Sequence, residues 1–371
     1  MLLLTFLGGL ALLLLGAELL VRGASRLALA LGIAPIVVGL TVVAIGTSAP
    51  ELAISFGGAW AGTPDLALGN VLGSNIANVL LILGLVALVA PLVVHRRLVR
   101  LDVPLMIGAS MLVFAMALDG AIARWEGSVL VASAIAYVVF LLRMARLHPE
   151  QVPRDPGLRE GGSDDAGAVP RHRTARQLLL MVAGLAMLVA GARLLVQAAT
   201  AVAASLGMSD LVIGLTVVAI GTSLPEIATS IMSALRGQRD LAVGNIVGSN
   251  IFNLLLVLGG TALVSADGLP VPASALRFDL PVMTVVALAC LPIFFNGHSI
   301  RRWEGALFVG YYLAYTAYLL LASSRHAALA DFQLVMLSVV VPLTVATLAV
   351  VTWRDAKLPL VPDSDNEDAR P

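Results

Sequence analysis

GLTVVAIGTS stands at residues 39–48 and again at residues 214–223, identical at all ten positions and offset by 175 residues. The offset persists outward from this block. Pro50 pairs with Pro225, Glu51 with Glu226, Ser55 with Ser230 and Asp65 with Asp240. GNVLGSNIAN at 69–78 matches GNIVGSNIFN at 244–253, and GAELLV at 16–21 matches GARLLV at 191–196. Further along, RLDVPLM at 100–106 faces RFDLPVM at 277–283, and RWEG at 124–127 faces RWEG at 302–305. Two apolar runs can resemble each other by composition alone. Composition does not keep Gly, Thr, Ser, Pro, Glu and Asn in register, so the chain is read as an internal duplication.

The medium of that duplication follows from composition. The 371 residues are 59% hydrophobic and only 12% charged, with a mean hydropathy of +0.96. Soluble domains carry about 25% charge, so an ordinary soluble protein is excluded. A spanning helix needs about 20 mostly apolar residues. Such stretches fall near 2–21, 36–58, 66–93, 103–119, 127–144, 177–199, 209–234, 241–264, 279–296, 304–322 and 332–352. Residues 1–21 lack a basic leader and a small-residue cleavage site, and read as a retained first span. Zero net charge suggests no nucleic-acid partner, and a lone Cys290 forbids an internal disulfide.

The expected architecture is an all-α polytopic membrane protein. Residues 1–144 form a first five-helix repeat, and 177–322 a second. Residues 145–176, rich in Pro, Gly, Asp and Arg, form a linker between them. An eleventh span lies within 323–353, outside the duplication, and 354–371 is a polar tail. Because five is odd, the copies are expected to be inverted, as in many secondary transporters whose sites lie near the midplane between halves. Most Arg and Lys fall in connections that share one side if the N-terminus is outside. The positive-inside tendency then makes 145–176 cytoplasmic. Compact Arg-rich loops suggest a bacterial inner membrane.

Charge inside such spans costs roughly 2.5–3.5 kcal/mol per group on insertion scales, so Glu51 and Glu226 need partners, water or an ion. Each follows a proline, Pro50 or Pro225, expected to break its helix because proline lacks an N–H and crowds the preceding turn. Thr47, Glu51 and Ser55 share a helical face, as do Thr222, Glu226 and Ser230. In the following spans Asn70, Ser74 and Asn78 make a polar stripe, as do Asn245, Ser249 and Asn253. The glycines at 69, 73, 244 and 248 suggest close packing of each stripe on its proline-broken neighbour. Clustered hard oxygens of this kind suit Ca²⁺ or Na⁺. Glu18 and Arg193 occupy equivalent positions and read as structural charges.

With these motifs in hand, the sequence resembles the sodium/calcium exchanger family, in its prokaryotic calcium/sodium antiporter form. GTSAPE with GSNIAN, and GTSLPE with GSNIFN, correspond to its two alpha-repeats, here about 36–84 and 211–259. The resemblance implies Ca²⁺ ligation by Glu51 and Glu226, with backbone oxygens of Thr47 and Thr222. It implies sodium sites from Ser48 with Ser74 and from Ser223 with Ser249, and contributions from the carbonyls of Ala44 and Ala219. It also places Asn78 at the centre. Asn253 stands where some relatives carry Asp, which leaves two formal negative charges rather than three.

The expected activity is exchange of Ca²⁺ for Na⁺ across the lipid bilayer by alternating access. No enzymatic step and no cofactor are implied. Both halves lie in one chain, so no oligomer is required. The alternative is Ca²⁺/H⁺ or other cation exchange with a glutamate carrying the proton. A channel would need a continuous pore, which an inverted repeat does not suggest, and no Ser–His pair or Asp dyad supports a hydrolase.

Overall fold

In hydrocarbon a backbone must satisfy its own N–H and C=O groups, so the apolar stretches fold as helices. A computed structural model describes residues 2–31, 33–94, 97–147, 171–205, 219–295, 299–324 and 326–346. Most of the 145–176 linker, the 354–371 tail and the 211–218 portion of the second repeat lie outside the described residues.

The first helix, α1 (Leu2–Leu31), continues well past the apolar run that defines it in sequence. Arg22 and Arg26, expected in a loop, sit within its last turns. Next come α2 (Pro35–Thr47) and α3 (Ala49–Trp60), bent by 41° at their junction. After them follow α4 (Pro64–Val89) and α5 (Leu98–Asp119), then α6 (Arg124–Leu147). The second half holds α7 (Arg171–Ser205), the short α8 (Ala219–Thr222) and α9 (Leu224–Leu235). It closes with α10 (Arg239–Val264), α11 (Ala275–Phe294) and α12 (Arg302–Ser323). The extra α13 (Leu329–Ala346) has an 18-residue apolar window, none of it buried. It touches the rest through Tyr311, whose hydroxyl donates to Thr344 Oγ1 at 2.6 Å. Among the described residues nine helices are long and apolar enough to cross a membrane, and the bent α2–α3 pair adds a tenth. The molecule is an all-α polytopic membrane protein.

The two halves interlock. A Cβ on Gly127 in α6 would lie 2.7 Å from the Gly259 carbonyl in α10, and one on Gly305 in α12 would lie 2.7 Å from the Gly84 carbonyl in α4. Each half's last helix therefore rests, backbone to backbone, on the third spanning segment of the other half. The RWEG motif explains how those last helices begin. Glu126 Oε2 accepts the Ala123 N–H at 2.9 Å, and Glu304 Oε2 accepts the Arg301 N–H at 2.7 Å. Each caps an otherwise orphaned donor.

Two short antiparallel ribbons join the halves, invisible to hydropathy because each strand has two residues. β1 (Leu92–Val93) pairs with β4 (Ser299–Ile300), and β2 (Ala121–Ile122) pairs with β3 (Leu269–Pro270). Because β1 precedes α5 and β2 follows it, the ribbons lie at opposite ends of the bundle.

One apolar core runs through α2, α4–α6 and α10–α12. A second joins α1 and α7 to α2 and α9. The α1–α7 seam is antiparallel and lined with glycine: Gly9 against Gly191, Gly16 against Gly184, and Gly23 against Met181. Glu18 does not meet Arg193. It accepts from Arg236 Nε at 2.6 Å and pairs with Arg22.

Candidate functional site

The site forms where α2 gives way to α3 and α8 to α9. Helical geometry is interrupted at Ser48 (φ −78°, ψ 5°) and at Ser223 (φ −87°, ψ 5°). Pro50 and Pro225 thus stand in the first turn of a new helix, where a missing N–H costs nothing, rather than inside a continuous one. Glu51 and Glu226 occupy the same first turns, where helix dipoles favour an anion.

Glu51 is 0% and Glu226 1% exposed. All four carboxylate oxygens lack a hydrogen-bond partner. The Glu226 carboxylate is within electrostatic range of Glu51, Thr47 and Ser48, and that of Glu51 is within range of Ser74. One carboxylate from each half thus shares a buried volume with hydroxyls of the first.

On the same segments and the helices that follow, Ser48, Ser223 and Ser249 keep buried hydroxyls without an ordinary hydrogen bond. Asn78 and Asn253 leave both amide atoms unpartnered. Each opens a wide π-helical turn, 78–83 or 253–258, at corresponding positions of the two halves. Such turns are frequent at functional sites. A buried polar atom without a partner costs about 1–3 kcal/mol, and natural proteins keep few. Their concentration on the segments that carry the two carboxylates and on the helices that follow makes this a candidate cation site. Ala44 is more engaged: its carbonyl accepts the Ser48 N–H at 3.0 Å and lies 3.4 Å from Thr47 Oγ1. Thr222 ends α8, and Ala219 begins it, with a side chain outside the described residues.

The two asparagines at 70 and 245, seen in the sequence only as part of a stripe, are the structural ties of the site. Asn70 Nδ2 donates to Ser55 Oγ at 3.0 Å and to the Glu51 carbonyl at 3.1 Å. In the other half Asn245 Nδ2 donates to Ser230 Oγ at 3.1 Å. Asn245 Oδ1 also accepts from Thr47 Oγ1 at 3.2 Å, tying α9 and α10 to α2. The glycine stripe of α10 packs across the halves onto α2 rather than onto its own neighbour α9. At Gly69 and Gly73 of α4 a Cβ would meet nothing within 4 Å, so the close packing expected of each stripe on its neighbour is not what the glycines serve. A Cβ on Gly244 would lie 3.0 Å from the Ile36 carbonyl, and one on Gly248 would lie 2.8 Å from Ala44 Cβ.

This arrangement has a counterpart among known proteins. A family model described as sodium/calcium exchanger protein matches residues 1–143 and 176–321. The chain belongs to the sodium/calcium exchanger family. Its relatives include the inner membrane protein YrbG of Escherichia coli, 37% identical over 312 residues that cover 84% of this chain and 94% of that protein. They also include the sodium/calcium exchanger MaX1 of Methanosarcina acetivorans, 35% identical over 335 residues, 83% of this chain and 95% of that one. Among solved structures, the sodium-calcium exchanger NCX_Mj superposes with a TM-score of 0.72 at 29% identity, covering 85% of this chain and 99% of that chain. As a member of the exchanger family the chain is an integral-membrane cation/calcium antiporter and a transporter rather than an enzyme. The family match ends at residue 321, so it leaves out α13.

Proposed function

We propose that this chain exchanges Ca²⁺ for Na⁺ by alternating access at one shared site between Glu51 and Glu226. The observation that carries the proposal is the buried carboxylate pair, one from each half, without ordinary hydrogen-bond partners and with the hydroxyls of Thr47, Ser48 and Ser74 close by. Two carboxylates balance one Ca²⁺. Oxygens of Thr47 and Thr222, with the carbonyls of Ala44 and Ala219, complete its shell. Ser48 with Ser74, and Ser223 with Ser249, serve Na⁺ beside it, while Asn78 and Asn253 supply amide oxygens at the centre.

Coulomb repulsion couples the two fluxes. A Ca²⁺ and a Na⁺ about 4 Å apart repel by about 8 kcal/mol at an effective dielectric constant of about 20, so overlapping sites hold one or the other. Matching elements in the two sequence copies, and ribbons at opposite ends, support inverted five-helix halves, 1–144 and 177–322. With the N-terminus outside, the β1–β4 ribbon, the linker and Arg236 face the cytoplasm. A bacterial plasma membrane fits the positive-inside pattern and the location in the name of the Escherichia coli relative.

The test is radioactive calcium uptake into Na⁺-loaded proteoliposomes diluted into choline at constant pH with a proton ionophore. Uptake that needs the Na⁺ gradient and is lost in Glu51→Gln and Glu226→Gln supports the proposal. Uptake that instead follows a pH gradient, once the ionophore is omitted, replaces Na⁺ with H⁺. Retained uptake in both variants removes the site assignment.

A further inference from the structure

Among the described residues, buried hydroxyls have different fates, and those of Thr47, Ser55 and Ser230 bond to the asparagines of the site. Those of Ser25, Thr41, Ser110, Thr261 and Thr284 each donate to the carbonyl four residues earlier, at 2.6–2.9 Å. This back-bonding is the ordinary fate of a hydroxyl on a helix. A few make no hydrogen bond of ordinary geometry: Ser48, Ser223, Ser249, Thr229 and Ser233. Three of these belong to the carboxylate site. The other two, Thr229 and Ser233, are 0% exposed and have no role there.

Their position is systematic. Glu226, Thr229, Ser230 and Ser233 are spaced i, i+3, i+4 and i+7, so they share one face of α9 that leads from the carboxylate toward the Arg236 end. At that end Gln238 N–H donates to the Ser233 carbonyl at 2.8 Å, and the Gln238 side-chain amide lies 2.5 Å from Ser25 Oγ. The Arg236 charge is paired with Glu18, so it does not stand alone at this mouth. The matching face of α3 reads Glu51, Ile54, Ser55 and Gly58. The duplication therefore preserves the carboxylate and its serine but not the outer two positions. Only the Glu226 side carries the additional oxygens.

We infer that Thr229 and Ser233 line the route by which cations reach and leave Glu226 from the Arg236 end, so that the two access routes are chemically unequal. A hydroxyl oxygen is a hard donor that replaces lost hydration water of Na⁺ or Ca²⁺, and a hydroxyl already bonded to its own helix is less free to do so. On the Glu51 side Ile54 and Gly58 offer no side-chain oxygen. Cations there are expected to stay hydrated until they meet the carboxylate. The inference rests on the exchange reading above.

Sided membrane vesicles test it. Right-side-out and inverted vesicles present Ca²⁺ to opposite faces. The face is fixed by labelling a cysteine placed at the exposed Arg239, since native Cys290 is buried. In Thr229→Val/Ser233→Ala, half-saturating Ca²⁺ should rise about tenfold from the Arg236 face, the loss of one hydrogen-bond-scale contact. From the other face it should stay within about twofold, and Thr229→Ser should behave as wild type. Equal changes at both faces, or none at either, overturn the inference. Wild-type vesicles without Na⁺-dependent uptake, or an active Glu226→Gln, would instead overturn the exchange reading.

Discussion

Replacing Gly16 by alanine tests how the two long helices α1 and α7 are held together. The new Cβ would sit 2.7 Å from the Gly184 carbonyl and 2.8 Å from the Leu188 nitrogen. Both are backbone atoms that no rotamer change can move, and ordinary contact begins near 3.4 Å. The seam must open by about 0.7 Å, and gaps of that size forfeit about a quarter to a half of each contact's dispersion energy. Helices in lipid gain no hydrophobic drive from association, so packing of this kind is what holds them. Overpacking usually costs about 1–3 kcal/mol, and Gly16→Ala should destabilise by that amount. The reciprocal contact at Gly184 is also 2.7 Å. Once the seam has opened for one methyl it accepts the second, so Gly16→Ala/Gly184→Ala should cost clearly less than the sum of the singles. Gly8 is the control, because a Cβ there meets nothing within 4 Å. Gly8→Ala should be neutral or, through helix propensity, stabilising by up to about 1 kcal/mol. Thermal unfolding of the purified protein in detergent, followed by loss of the monodisperse species, measures all four. A Gly16→Ala protein as stable as Gly8→Ala, or a fully additive double variant, would refute the reasoning.

Other substitutions probe the site and its frame. Asn245→Leu strips partners from Thr47 and Ser230 and should cost about 1–3 kcal/mol, seen in thermal unfolding, and also weaken Ca²⁺-dependent protection against heating. Tyr137→Phe removes the hydroxyl that donates to buried Asp102 Oδ1 at 3.0 Å. It should destabilise by about 1–3 kcal/mol, more than Tyr315→Phe, whose Asp279 contact of 2.9 Å is only part-buried. Glu304→Ala loses the cap on α12 and should lower stability by about 1 kcal/mol, with Na⁺-dependent calcium uptake by the folded fraction unchanged.

The duplication was legible because ten identical residues survive in both copies, and the spans because hydrocarbon leaves few alternatives to helix. Glu51 and Glu226 stood out because ionisable groups are rare at membrane depth. What escaped the sequence has three physical origins. Hydropathy ends α1 at Arg22, although long basic side chains reach toward the interface while their helix continues. Partners distant in sequence are not readable from repeat position: Glu18 and Arg193 read as equivalent structural charges, and nothing in the sequence points to the pairing of Glu18 with Arg236. A reading built on repetition also passes over whatever is not repeated. Thr229 and Ser233 face Ile54 and Gly58 in the other copy, and only their burial without partners draws notice. Asn245 shows a related limit: its spacing put it on a polar stripe, but the bridge to Thr47 exists only once the halves have packed together.

The glycine seam has a consequence for the surrounding lipid. With 30 residues in α1 and 35 in α7, the helices are about 45 and 52 Å long at 1.5 Å per residue, against a hydrocarbon core of about 30 Å. Locked backbone to backbone, they share whatever tilt relieves the mismatch. They also form an apolar core apart from the one that runs through the interlocked frame. Bilayer thickness therefore acts on this pair as a mechanical load, and a thinner membrane leans both helices further against α2, which leads into the Glu51 segment, and α9, which carries Glu226.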